Sequence, residues 1–218
     1  MVNLTRIYTR TGDHGQTRLV DMSVTEKTDP RVAAYGDVDE ANAAIGVALA
    51  TGALPEPVRD VLAQVQNELF DLGADLGNPL ASSYDFEPLR INQDYIDRLE
   101  RWCDEFTADL PKLRSFILPG GNPAGAQLHV ARTVTRRAER TGWQAIQQYG
   151  TEPSSEDQHR PGGINPLAIG YLNRLSDLLF ILTRVVNGTE HEVLWVPGGD
   201  RSPVAADDHQ PTDEDDRP

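Results

Sequence analysis

The chain has a single cysteine, Cys103, in 218 residues, so no internal disulfide can hold it together. Cys103 falls on the apolar face of an expected helix and reads as a small core hydrophobe rather than a reactive thiol. The five histidines are scattered without ligand spacing, which argues against a metal site built from imidazoles. No apolar run approaches the length of a bilayer span. The start, Met1 to Arg6, has no apolar signal region, and the reading is a cytoplasmic protein without a membrane segment. Basic residues are also scarce: 20 Lys and Arg face 34 Asp and Glu, a net charge of −14. Half of that excess lies from Thr189 onward, where nine acids face only Arg201 and Arg217. A non-specific nucleic-acid binder is disfavoured, because the phosphate backbone requires a basic footprint.

What is present is helical. Aromatics make up 6% of the chain, while Ala, Leu and Val, with small or straight side chains, are common. Residues 1–29 are polar and Gly-containing and read as a structured arm. Five segments then carry apolar residues at helical spacing. The first runs over about Val32–Thr51, with Ala34, Val38, Ala41, Ile45 and Ala48 on one side. The second starts near Pro57 and stops at Gly77-Asn78-Pro79, and the third covers about Asn92–Asp109. Asn122 as N-cap and Pro123 at N1 open a fourth that lasts to Tyr149. The fifth, about Leu167–Asn187, ends on Asn187-Gly188. The expected fold is all-α, a five-helix up-and-down bundle with ferritin-like packing and an ordered N-terminal arm. Residues 1–188 form one domain, arm 1–29 and bundle 30–188. Residues 189–218 are expected to be an acidic, disordered, solubilising tail.

Three constellations carry chemistry. On the fourth helix Arg132, Arg136 and Arg140 fall within roughly 80° of one another, with His129 among them and Glu139 beside them. Aligned guanidinium groups repel unless something anionic sits between them, and polyphosphate suits their planar forks. Taken alone, the same pattern equally suits a solvated face paired with neighbouring carboxylates, and Asp39 of the first helix is one candidate partner. In the arm, Tyr8 to Thr17 sets Gly12 and Gly15 among hydroxyls and Arg10, so that backbone N–H groups can surround phosphate oxygens. It is not a Walker A loop, which ends in Gly-Lys-Ser/Thr before a helix. A plain Gly-Asp turn is the simpler reading of that segment by itself. On the fifth helix Asn173, Asp177 and Arg184 share a polar stripe within about 40°. On a largely buried helix such groups must be paired, and Asp177 with Arg184 is expected to belong to an ion-pair network inside the bundle.

The order of these segments is more specific than any one of them. Ile7 to Thr17 (IYTRTGDHGQT), Ala34 to Asn42 (AYGDVDEAN) and Phe70 to Asp75 (FDLGAD) resemble the PduO-type ATP:cob(I)alamin adenosyltransferases. So do Phe116 to Gly121 (FILPGG), His129 to Arg140 (HVARTVTRRAER) and Tyr171 to Asp177 (YLNRLSD). The resemblance spans residues 4–188 apart from the loop at 150–166. It implies a homotrimer with sites between subunits, in which cobalt(I) attacks C5′ of ATP in line. The products are adenosylcobalamin and inorganic triphosphate. For ATP it implies Thr9, Arg10, Thr11, Gly12, Asp13, Gly15, Thr17 and Arg18 of the arm, with Lys27 on the phosphates. Arg136, Arg137, Glu139, Arg140 and Asn173 complete that set. Arg132 and Asp39 correspond to an ion pair across the subunit boundary. Phe116 corresponds to the ring under the lower face of the cobalt. Mg²⁺ is expected on the ATP phosphates rather than on side chains. A cobalamin reductant and a cobalamin-dependent enzyme that accepts the product are candidate partners. Arg10 stands where lysine is common in the family and Arg18 where a small residue is common. A bundle that senses ATP or carries finished cofactor would show the same motifs.

Overall fold

The computed structural model describes Tyr8, Arg10 and residues 12–85, 87–154 and 161–198. Thr9, Thr11 and the expected tail from 199 on lie outside the described residues. Five helices are present: α1 (Pro30–Thr51), α2 (Glu56–Leu76), α3 (Gln93–Thr107), α4 (Pro123–Tyr149) and α5 (Pro166–Asn187). Their starts are chemically marked. The Asp29, Asn92, Asn122 and Asn165 side chains accept from the backbone N–H groups of Arg31, Asp94, Gly125 and Leu167, satisfying amides that have no carbonyl partner in a first turn. Prolines follow in the first turns of α1, α2, α4 and α5, where a missing N–H costs nothing.

Side-chain ties give the directions. Arg137 meets Asp37, and Tyr149 meets Asp29, so α1 and α4 run antiparallel. Glu68 receives Arg98 and Asp71 receives Tyr95, which sets α3 antiparallel to α2. Asn122 donates to Val186 O, joining the start of α4 to the end of α5. The helices therefore alternate in direction along the chain, the up-and-down bundle expected. The core is a ladder of fully buried side chains, among them Ile45, Leu62, Leu69, Leu99, Leu128, Ile169, Leu175 and Leu179. Each fully buried aliphatic side chain contributes on the order of 1.5–3 kcal/mol. Cys103 is half-buried against this core, and burial pushes its thiol up to about 11; it is an inert packing residue.

Two local features add to the expectation. The arm is not simply a loop: β1 (Gln16–Arg18) and β2 (Val24–Glu26) pair antiparallel, Gln16 opposite Glu26. With only three mostly polar residues in each strand, no periodicity advertised it. Beyond residue 188 the chain continues in contact with the bundle. Thr189–His191 form a 3₁₀ turn, and Val193–Trp195 then lie antiparallel to Phe116–Leu118. Leu118 N donates to Val193 O at 2.8 Å and Trp195 N to Phe116 O at 2.7 Å. The acidic composition of 189–218 masks a short apolar strand inside it.

Candidate functional site

Of the residues expected in the arm site, Gly12, Thr17 and Arg18 line one cleft. A reverse turn, Gly15 N donating to Gly12 O, feeds β1, and Lys27 N at the end of β2 donates to Gly15 O at 2.7 Å. Gly15 has φ +84°, a conformation open to glycine. A Cβ on Gly12 would sit 3.0 Å from Lys27 Nζ, so the missing side chain is what lets the ammonium approach the turn. A cleft of about 500 Å³ is lined by Gly12, Gln16, Thr17, Arg18 and Val24. Arg18 is held by Met22 O at 2.9 Å, Arg10 lies over the Tyr8 ring, and Asp13 is exposed. Backbone, the Thr17 hydroxyl and the Arg18 guanidinium thus line one open concavity, with Lys27 Nζ close to Gly12 at its rim, a setting for phosphate oxygens.

The second cluster lies on α4. Arg136 and Arg140 are exposed, Arg132 is half-buried and His129 is buried. Arg132 Nε is buried with no hydrogen-bond partner among the described residues, and so are both ring nitrogens of His129. Burial lowers the Arg132 guanidinium from its ordinary value, and neighbouring Arg136 lowers it further. Burial likewise lowers His129, with Arg132 adding to it, so the ring is neutral near pH 7. Arg132, Arg136 and Arg140 make no ion pair among the described residues, so the face is a positive one. Asn173 Nδ2 donates to Glu139 Oε1 at 3.1 Å, and Arg140 Nη1 donates to Arg136 O at 3.0 Å, fixing the orientation of the last turn of the cluster.

Arg137 is set apart from this face. It pairs with Asp37 at 3.1 Å and with Glu40, and Thr141 Oγ1 donates to the other Asp37 oxygen at 2.6 Å. Its place in the motif follows sequence adjacency, but its angle turns it towards α1. The expected contact of Asp39 with a helix-four arginine within the chain is not formed, because Asp37 and Glu40 are the acids that face α4. Asp39 instead lines a groove with Tyr35, Asn42, Phe70 and Gly73 and makes no ion pair among the described residues. The polar groups of the α5 stripe are paired, as expected, each with its own partner. Asn173 meets Glu139, Asp177 meets Arg174 at 2.8 Å, and Arg184 meets Glu192 at 2.6 Å.

Phe116 forms the third part. Its ring is 78% exposed and stands edge-on to Trp195, centroids 6.2 Å apart. Leu118, Val193 and Trp195 are also exposed, and the antiparallel pairing puts them on the same side as Phe116, an apolar patch of the kind that receives a ligand or partner. The turn after it is glycine for a steric reason. Asn187 Oδ1 accepts from Asn122 N and its Nδ2 donates to Gly120 O, so its amide fills the space where a Cβ on Gly121 or Gly125 would lie, at 2.2 and 1.9 Å. Gly125→Ala should therefore lower stability by about 1–3 kcal/mol. An ordinary helix-interior Gly→Ala gains up to ~1 kcal/mol, so the direction of the shift in urea midpoint decides. Trp195 and Asn187 were missed from sequence. The signal for Trp195 was the apolar run Val193–Val196, hidden by its acidic flanks.

Among the described residues no group of three or more His, Cys, Asp or Glu is arranged to hold a metal ion, and no helix is long and apolar enough to cross a membrane. The cobalamin adenosyltransferase family model matches residues 7–186, and the chain belongs to that family. It is similar to the corrinoid adenosyltransferase of Mycobacterium tuberculosis (strain H37Rv), 59% identical over 201 residues that cover 92% of this chain and 98% of that one. The corrinoid adenosyltransferase of Bacillus subtilis (strain 168) is 40% identical over 185 residues, covering 84% and 86%. Among solved structures it is similar to a phenylalanine-to-histidine variant of the PduO-type ATP:corrinoid adenosyltransferase from Lactobacillus reuteri, complexed with cobalamin and ATP. That likeness has a TM-score of 0.74 and 36% identity, over 87% of this chain and 96% of the other.

Proposed function

We propose that this enzyme transfers the 5′-deoxyadenosyl group of ATP to cob(I)alamin, releasing inorganic triphosphate, at a site completed between the subunits of a homotrimer. The observation that carries the reading is the α4 face, where Arg132, Arg136 and Arg140 align and Arg132 Nε is buried without a partner. Such a face calls for an anion and for an acid from outside the chain. The triphosphate supplies the first. Asp39 of a neighbouring copy, which makes no ion pair among the described residues of its own chain, supplies the second by pairing with Arg132.

The chemistry suits these residue types. Cobalt(I) is itself the nucleophile, so no general base is required. Its electron pair forms the bond to C5′, the C5′–O bond breaks, and the electrons leave with triphosphate. The protein's share is in-line positioning and stabilisation of the departing charge. Thr9, Arg10, Thr11, Gly12, Asp13, Gly15, Thr17, Arg18 and Lys27 hold the nucleotide from the arm. Arg136 and Arg140, oriented by Glu139 and Asn173, face the phosphates. Arg137 acts through its anchorage of α4 on α1. Mg²⁺, carried by the phosphate oxygens, would add further charge neutralisation. The exposed Phe116 ring occupies the lower face of the corrinoid, excluding an axial base so that cobalt is more easily reduced.

The test uses purified protein, ATP, Mg²⁺ and chemically reduced cobalamin. Decay of the cob(I)alamin spectrum with formation of adenosylcobalamin and triphosphate is expected. Absence of adenosylcobalamin under those conditions rules out the catalytic reading and leaves a carrier. A solution mass of three chains is expected, and a monomer would remove the inter-subunit site.

A further inference from the structure

One carboxylate outside the site already described ties the arm to two helix ends, the start of α1 and the end of α4, which meet at one end of the bundle. Asp29 is the N-cap of α1: its Oδ1 accepts from Arg31 N at 2.7 Å. Its Oδ2 accepts from two further donors, Thr25 Oγ1 of β2 at 2.8 Å and the Tyr149 hydroxyl at the last residue of α4. Capping requires only the first of these contacts. Beneath them the Arg31 guanidinium, 1% exposed, lies under the Tyr149 ring at 4.9 Å. It donates to Leu76 O, Gly162 O and Gly163 O at 3.1, 2.6 and 3.3 Å. These acceptors cannot easily shift, since a Cβ on Gly162 would lie 1.6 Å from Leu80 O. The platform under Tyr149 is thus rigid, whereas the hairpin above it has few ties to the bundle, Val20 N donating to Gly77 O being another.

We propose that Asp29, Thr25 and Tyr149 form a latch that sets the position of the nucleotide arm, and that all three are positioning residues for ATP. Lys27 lies between Thr25 and Asp29 in sequence, and its Nζ reaches the Gly12 turn. Fixing Thr25 and Asp29 against Tyr149 therefore fixes where that ammonium and the Gly12–Gly15 amides stand. The far end of the latch is α4, the helix that carries Arg136 and Arg140, so the two halves of the phosphate site share one rigid support. The inference rests on the arm being the ATP site.

The variants are Tyr149→Phe, which keeps the ring over Arg31, and Thr25→Val/Tyr149→Phe, which leaves only the capping contact. The measurements are hydrogen exchange of residues 12–27 in the full-length protein and steady-state turnover at varied ATP with reduced cobalamin. The double variant should exchange faster in that segment and show an ATP KM raised on the order of tenfold, the loss expected for hydrogen bonds to a charged acceptor. Its kcat at saturating ATP should stay within about twofold, because no group touching the reacting atoms is removed. A merely structural role would lower the melting temperature and kcat without that split. Unchanged exchange in 12–27 overturns the latch and leaves the ATP assignment standing. Faster exchange with an unchanged ATP KM overturns the arm as the nucleotide site, and the proposal with it.

Discussion

Replacing Arg136 with alanine is expected to lower kcat/KM for ATP by about 100-fold or more while leaving the fold as stable as before, or slightly more so. The activity loss follows from position: removing one donor aimed at charge that develops in the transition state typically costs about 10²–10³. The stability effect has the opposite sign because of what surrounds the residue. Arg132 is lowered first by its own burial and then by Arg136. Without a bound anion the two guanidinium groups are uncompensated neighbours, and removing the exposed one relieves the buried one. Stability given up for function is the pattern expected at an anion site. A solvated, ion-paired face would give the reverse, intact turnover with a small loss of stability. Turnover against ATP and a urea midpoint on the same preparation separate the two. Activity within about twofold of the parent would remove Arg136 from the phosphate site.

The bundle was legible because its punctuation is local chemistry. Asn122-Pro123 marks the start of α4 within one residue, and Asn187-Gly188 its counterpart at the end of α5, since capping and proline at N1 depend only on neighbours in sequence. The arginine face was legible for the same reason: residues three and four apart share a helix side whatever else the fold does. What failed depended on distant partners. Arg137 is distinguished from Arg136 only by Asp37 and Glu40, 100 and 97 positions away. The Arg31 platform, Tyr149 and Gly162 come from three separated segments and carry no joint pattern. Asp39 makes no ion pair among the described residues, so the contact that the resemblance implies for it lies outside what a single copy contains.

The strand after α5 was missed because its composition is judged with its acidic flanks, and its attachment rests on one buried ion pair. Arg184 and Glu192 side chains are 7% and 8% exposed and meet at 2.6 Å, and Arg184 Nη2 also donates to Pro111 O at 2.9 Å. With the segment held in place, Glu192→Ala would leave a buried, uncompensated charge that costs about 3 kcal/mol, more than its remaining ties are expected to hold. The segment has an escape that a core helix lacks. Its other ties are Leu118 N to Val193 O, Trp195 N to Phe116 O, Ser115 Oγ to Trp195 O and the Phe116–Trp195 ring contact. Detaching residues 192–196 would hydrate Arg184 and leave the five helices intact. In that event the thermal midpoint of the helices moves little, tryptophan fluorescence changes, and Phe116 loses the ring beside it. The KM for cobalamin then rises while that for ATP stays level. Replacing both partners with methionine restores most of the stability, since a buried pair exchanged for apolar groups is roughly neutral. It also keeps the segment docked by packing. A Glu192→Ala protein with unchanged unfolding, fluorescence and cobalamin KM would show that the pair neither holds the strand nor supports the corrinoid side of the site.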